Sequence, residues 1–276
     1  MFQYALGRVH SVIELPPESL SLSLHVDAGG RAGNKRVWGG LAAMGEIEDA
    51  WIGDTMSRLV EDQQGSKSGP GEVKGRDLDL ATVVDIGQRM RSDDRRIIFW
   101  SNWYPEPNHA LSSQMIKAFA EVRAARWRLD AARIQARNNT WSDYLRRLKS
   151  VNQWKVLSVL AHVQWLVGEL KRVRMGRQVG AVRMLVDRED LPTPSVAASL
   201  VKTMIAASFQ DAGMSLATTG SAYEERPEQG AITVNMEGDS SAYAGLQLVD
   251  ILLQAVQRRL PGFRPPAFSN EGTVVE

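Results

Sequence analysis

Along this chain, segments whose apolar and polar residues alternate as in a β-strand are followed by segments whose apolar residues have helical spacing. This order restricts the fold more than any other feature. Residues 22–27 alternate apolar and polar side chains, which is typical of a strand, and 37–44 follow as a second strand after a Gly-rich turn. Strands alternating with helices indicate an α/β or mixed-sheet domain. Further strands are predicted at 95–105, 181–187 and 231–240, and helices at 46–61, 78–90, 193–211 and 244–260.

One long stretch, 106–176, interrupts this alternation. It is rich in Ala and Arg and is predicted to form two or more helices between the third and fourth strands. A chain of 276 residues, 43% of them hydrophobic, is long enough to bury a core without disulfides or metals. We therefore predict a single domain over 1–276, with a basic helical insertion at about 106–176.

Composition excludes several classes of site. The chain has no cysteine, so disulfides, thiol catalysis and cysteine-based zinc sites are ruled out, and its four histidines lack metal-ligand spacing. No apolar run reaches the roughly 18 to 20 residues that cross a bilayer, and the first residues lack the order of a signal peptide. We expect a soluble, cytoplasmic protein with no membrane partner.

Charge is distributed unevenly, although the net charge of the chain is only +1. Residues 117–177 carry 14 Lys and Arg against four acids, which makes this stretch +10 and the remainder −9. One part of the molecule can therefore attract a polyanion while another part concentrates carboxylates.

Two of the predicted strands finish on an aspartate, Asp27 and Asp187. In open α/β sheets the ligand crevice lies beyond the strand ends, so acids at those ends can converge on one point. The alternative is that each aspartate caps a turn by accepting hydrogen bonds from nearby backbone amides.

Two more acids stand in unusual settings. Glu72 and Lys74 lie two apart in "GEVKG", where an extended segment would place them on one face; the alternative is an exposed ion pair. Asp250 lies in the apolar helix "GLQLVDILLQAV", whose polar positions could also be the wet face of a surface helix. That polar stripe consists of Gln247, Asp250, Gln254 and Gln257.

Four short motifs occur in an order that resembles a known bacterial family. "HVDAGG", "EVKG", "LVD" and "GDSSAYAGLQLVDILLQAV" are together similar to the family catalogued as domain of unknown function 3800, whose members have a ribonuclease H-like fold. The strongest part is "GLQLVDIL", and the motifs span 22–260 apart from the helical stretch 106–176. The resemblance implies a ribonuclease H-like mixed sheet flanked by helices.

The same resemblance implies a set of site residues. Asp27, Glu72, Asp187 and Asp250 match the four family acids, and Asp239 matches a further aspartate shortly before the last helix. The chain departs from the family after its first aspartate, where Ala28 and Gly29 replace an acid and a hydroxyl. A possible ligand or orienting group is lost there, which leaves open a weak, altered or absent activity.

Carboxylates gathered at one point need protons or cations. Like charges about 4 Å apart repel by about 4 kcal/mol at an effective dielectric near 20. Oxygen ligands select Mg²⁺ or Mn²⁺, and two such ions can activate a water and stabilise the leaving oxygen of a displacement at phosphorus. The resulting hypothesis is a metal-dependent nuclease that hydrolyses DNA or RNA, with Lys74 contacting a phosphate.

The basic stretch supplies a candidate substrate surface. Arg123, Arg126 and Arg133 share one helical face, and arginines bind phosphates while interleaved aromatic residues can stack on bases. The tryptophans of this stretch could instead be core residues or contacts to a partner helix. The long inserted helices also make a homodimer a reasonable expectation.

A second hypothesis belongs to a different class. The altered "DAGG" segment and the large apolar residues of the insertion would also suit a non-catalytic ribonuclease H-like scaffold protein that docks a partner or nucleic acid. The four-acid pattern opposes this hypothesis, because an eroded site has no physical reason to keep carboxylates that repel one another. Metal dependence distinguishes the two.

Overall fold

The structure is a computed structural model that describes most of the predicted core. Its described residues are 20–32, 35–62, 73–92, 96–105, 143–149, 152–153, 155–156, 158–159, 178–188, 191–211, 215–216, 232–258, 267–268 and 274–275. The predicted loop 63–71 and most of the insertion lie outside them, so the single-domain prediction stays a prediction.

The described elements alternate much as the sequence pattern predicts. The strands are β1 (Leu20–Ala32), β2 (Lys35–Met44), β3 (Ile97–Pro105), β4 (Gln178–Asp187), β5 (Ser215–Leu216), β6 (Ile232–Gly238), β7 (Ala267–Phe268) and β8 (Val274–Val275). The helices are α1 (Glu46–Asp62), α2 (Leu80–Ser92), α3 (Pro194–Asp211) and α4 (Ala244–Arg258), with a 3₁₀ turn at Gly75–Asp77 and helical residues at 143–147. None of these described helices is long and apolar enough to pass through a bilayer.

Strand β1 lies at the centre of a mixed sheet. It pairs antiparallel with β2, which pairs antiparallel with β3. On its other side β1 runs parallel to β4, and β4 pairs parallel with β5 near its start and with β6 along the rest of its length. The sheet order is therefore β3-β2-β1-β4-β5, with β6 also beside β4. The domain is mixed α/β, as predicted.

Helices cover both faces of this sheet. One face, here the α3 face, buries alternate residues of β1 such as Leu22, Leu24 and Val26. They pack with α3 and with the buried residues Leu145, Val156 and Val159. The other, the α4 face, buries the opposite residues of the sheet, such as Leu41 and Phe99, against α1, α2 and α4. The core consequently has two layers, one on each side of the sheet.

The polar positions of β1 are buried as well, because they point to the α4 face. The Ser23 hydroxyl donates a 2.6 Å hydrogen bond to Asp49 of α1. His25 lies against Gly245 of α4, where a Cβ would come within 2.4 Å of the imidazole ring. The alternation of polar and apolar residues in β1 thus reflects two different buried environments and no solvent face.

Strand β1 does not end at Asp27, so that prediction is wrong. The chain stays extended through Gly29 and Gly30 to Ala32, and its pairing with β2 resumes after a register shift between Ala28 and Arg31. The two glycines therefore continue the strand through an irregularity. Asp187, in contrast, does end β4, and α3 has the predicted helical bounds.

Candidate functional site

Asp27 and Asp187 lie side by side on neighbouring parallel strands. Val26 of β1 pairs with Val186 of β4, so the next residues of the two strands are neighbours and point to the same face. That face is the α4 face, since Val26 and Val186 belong to the α3 face. Asp27 is only 7% exposed, and a hydrogen bond joins the two carboxyl groups.

Asp250 approaches the same point from α4, and its position is fixed by the segment that contains Lys74. The Gly75 N–H donates a 3.0 Å hydrogen bond to Asp250 Oδ2. Two residues earlier, the Val73 N–H donates to Gln247 Oε1 at 3.2 Å. Gly75 lies so close to the helix that a Cβ there would be 2.7 Å from the Ile251 Cα.

The polar stripe of α4 is therefore a docking surface for another part of the chain. Gln247 is 5% exposed and Asp250 is half-buried. Gln254 packs against Gly75, and Gln257 packs against Gly29 and Gly30. The wet-face alternative is wrong for this helix, because side chains predicted to meet solvent instead hold the segments that surround the carboxylates.

Burial, joined at Asp27 by the charges of neighbouring acids, raises the pKa of two of these carboxyl groups. Burial, followed by the charges of Asp187 and Asp250, raises the pKa of Asp27 well above its usual value. The Ala28 N–H, which donates a 2.6 Å hydrogen bond to Asp27 Oδ1, and the Lys74 ammonium oppose this rise. Burial also raises the pKa of Asp187. The three acids thus interact electrostatically, and the site favours uptake of a proton or a cation.

Lys155 is a residue of this site that sequence reasoning missed. Its side chain is 0% exposed, and its ammonium group donates hydrogen bonds to the backbone carbonyls of Asp187 and, at 3.2 Å, of Met236. It therefore ties the ends of β4 and β6 together, and its charge works against the raised pKa of Asp187. The only signal in the sequence is a lysine inside the apolar run "WKVLSVL".

Asp239 lies one residue beyond β6 and holds its own turn. Its Oδ1 accepts hydrogen bonds from the Ser241 backbone N–H at 2.9 Å and the Ser241 hydroxyl at 2.7 Å. These hydrogen bonds, with smaller contributions from Arg188 and Lys74, lower the pKa of Asp239. The side chain is exposed and acts as a turn-forming acid, while its metal-binding role stays a prediction.

Ala28 and Gly29, which follow Asp27, both lie in closely packed surroundings. Ala28 packs against the core of the α3 face, so a longer side chain at this position would start on the side away from Asp187. At Gly29, a Cβ would lie 2.2 Å from Gln257 Nε2 and 2.6 Å from Val37 Cγ1. The space that a serine would need is therefore filled by Gln257 and β2.

Some predicted site residues lie outside the described part of the chain, namely Glu72, Arg123, Arg126 and Arg133. Within the described part, no group of three or more His, Asp or Glu side chains converges closely enough to hold a metal ion. The pair of Asp27 and Asp187 nevertheless provides the oxygen donors that Mg²⁺ prefers, because Mg²⁺ in proteins is usually held by one or two carboxylates together with waters and substrate phosphates.

Comparisons of the chain with protein-family models, with curated proteins and with solved structures found no match.

Proposed function

We propose that this chain is a metal-dependent nuclease with a ribonuclease H-like fold, related to the domain of unknown function 3800 family. One observation carries the proposal: two hydrogen-bonded carboxyl groups, Asp27 and Asp187, stand side by side at the edge of the parallel strands, and Asp250 and Lys74 face them. The mixed sheet with helices on both faces is compatible with such a fold.

The electrostatics of the cluster support a cation rather than a purely structural role. An acid whose pKa is raised by burial and by two other acids weakens the folded state at neutral pH, and the hydrogen bond from the Ala28 N–H opposes only part of this rise. Strongly perturbed acids at a sheet edge are typical of functional sites. A bound Mg²⁺ or Mn²⁺ would supply activation of a water and charge stabilisation at phosphorus.

Each residue of the cluster has a role in this proposal. Asp27 and Asp187 would hold the ion, with Glu72 and Asp250 as further ligands from the segment before Lys74 and from α4. The hydrogen bond from Gly75 orients Asp250, and Lys155 holds the strand end that carries Asp187. Lys74, whose charge acts on Asp27, would contact a phosphate and neutralise its charge.

The test is cleavage of end-labelled DNA and RNA, single- and double-stranded, in EDTA, in Mg²⁺ and in Mn²⁺. We expect cleavage only with metal, a loss of at least about 100-fold in Asp27→Asn, and no loss in Asp49→Asn. Asp49 is a suitable control because it lies on the same face but bonds Ser23 outside the cluster. Cleavage by Asp27→Asn at the native rate, or no cleavage of any substrate by the native protein, would contradict the proposal.

A further inference from the structure

A cleft of about 480 Å³ opens beside the end of β4, next to the carboxylate cluster. Its walls come from the helical residues near 147, from the loop after β4 and from β6. The charged side chains are Arg147, Lys149, Arg188 and Glu237, and Leu191 and Pro192 supply apolar surface. None of these residues belongs to the site predicted from the sequence.

The cleft is predominantly cationic and its cations are accessible. The three basic side chains of the cleft are all exposed and outnumber its one lining acid, Glu237, while Asp239 beside Arg188 offsets part of the positive charge. In the described part of the chain, no carboxylate forms an ion pair with Arg147 or Lys149, whereas the adjacent Arg146 pairs with Asp143 at 3.4 Å. The cleft therefore presents positive charge that is available to an anion.

Hydrogen bonds fix the walls of the cleft relative to the cluster. The Tyr144 hydroxyl donates to the Pro192 carbonyl at 2.8 Å, which ties the helical residues 143–147 to the loop after β4. The Arg188 N–H donates to the Gly238 carbonyl at 2.8 Å, which holds Arg188 at the end of the β4–β6 pair. Because Arg188 directly follows Asp187, the cleft and the carboxylates share one strand end.

We propose that this cleft binds backbone phosphates of the nucleic-acid strand that the carboxylate cluster cleaves, an inference that rests on the proposed nuclease function. Successive residues of an extended chain point to opposite sides, so Asp187 faces the cluster and Arg188 faces the cleft. A strand lying across this sheet edge places one phosphate at the carboxylates and neighbouring phosphates at Arg147, Lys149 and Arg188. Leu191 and Pro192 offer apolar contact to its sugars or bases.

The test measures binding apart from catalysis. A fluorescein-labelled single strand of 20 nucleotides is titrated with protein in EDTA, by anisotropy, across a series of salt concentrations. One variant combines Arg147→Gln with Arg188→Gln. The control is Arg146→Gln, which removes one positive charge from a neighbouring residue outside the cleft. Each lost phosphate contact on a single strand lowers the salt slope by about 0.7, so the double variant should lose about 1.4 in slope.

If the double variant and the native protein bind equally at 1 M salt, this change in slope makes the double variant bind about 25-fold more weakly at 0.1 M salt. Arg146→Gln should bind as the native protein does. Equal binding by the double variant and the native protein, or an equal loss in Arg146→Gln, would overturn the proposal. The parallel cleavage assay separates it from the proposed function. If cleavage depends on Asp27 but the double variant binds as tightly as the native protein, only the cleft proposal is refuted. If the double variant binds more weakly but the native protein shows no metal-dependent cleavage, only the nuclease proposal is refuted.

Discussion

Replacing Asp27 by Asn should stabilise the fold without metal and should remove most of the stabilisation that metal gives to the native protein. Without metal, the charged Asp27 faces Asp187 and Asp250, and its raised pKa means that the folded protein favours the protonated form. Asp27 therefore does not destabilise the fold at low pH, where it is protonated, and it destabilises the fold increasingly as pH rises above the ordinary aspartate pKa. At pH 8 an asparagine, which mimics the protonated acid, should therefore melt higher than the native chain in EDTA.

Burial is the largest cause of the raised pKa, and the neighbouring charges give the part of the effect that can be worked out directly. At an effective dielectric near 20, like charges between about 4 and 8 Å apart cost about 2 to 4 kcal/mol per pair. Asp27 has two such partners, and Lys74 offsets one of them, so the net gain in Asp27→Asn is about 3 kcal/mol. For a domain of this size, that is about 6 to 12 °C in Tm.

With metal, the difference in Tm between Asp27→Asn and the native protein should become small or change sign. Mg²⁺ or Mn²⁺ at about 100 times its Kd stabilises the native fold by about 2.7 kcal/mol, or about 5 to 10 °C. Asp27→Asn should lose most of this shift, and Asp49→Asn should keep it. Thermal melts of the three proteins at pH 8, in EDTA and in millimolar metal, make the measurement. A lower apo Tm in Asp27→Asn, or an undiminished metal shift in that variant, would refute the reasoning.

Three further predictions follow from single residues. Lys155→Met leaves the carbonyls at the ends of β4 and β6 without their buried donor, and urea denaturation should show a loss of about 3 kcal/mol; a loss below about 1 would mean that this buried lysine is dispensable. Burial and the charge of Arg183 lower the pKa of His25 to about 4, so the unfolded chain takes up a proton first as pH falls below about 6.5. His25 should therefore lower the free energy of unfolding by about 3 kcal/mol between pH 6.5 and 4, whereas Asp27 changes stability with pH in the opposite direction. His25→Gln should remove the contribution of His25 when urea midpoints are measured across this pH range. Identical pH profiles for the native protein and the variant would contradict this prediction. Gly75→Ala places a methyl group against the α4 backbone and should reduce the cleavage rate at least about tenfold. In the control Gly53→Ala, the new methyl group in α1 meets no atom within 4 Å, so the cleavage rate should stay unchanged. Equal cleavage rates in the two variants would count against a role for the Gly75 contact.

Local pattern was enough to predict the longer elements of this fold, although not the end of β1 or the short strands β5, β7 and β8. Helical spacing predicted α3 over 193–211, and apolar strand patterns predicted β2 and β4. These features depend on neighbours a few residues apart, which is the range over which backbone geometry and side-chain period act. The acids Asp27, Asp187 and Asp250 were also identified in the sequence, because each stands out from an apolar surrounding.

Only the tertiary structure decided how these parts meet. An alternating strand has two faces, and nothing in 22–27 reveals that α1 and α4, from distant parts of the chain, bury the polar one. The polar stripe of α4 has the pattern of a solvent-exposed face, and only the fold shows that residues 73–75 dock on it. The role of Lys155 is likewise hidden in the sequence, because its hydrogen-bond partners lie 32 and 81 residues away. Periodicity specifies which side chains share a face, whereas the covering of that face depends on contacts between residues far apart in sequence, which only the folded chain brings together.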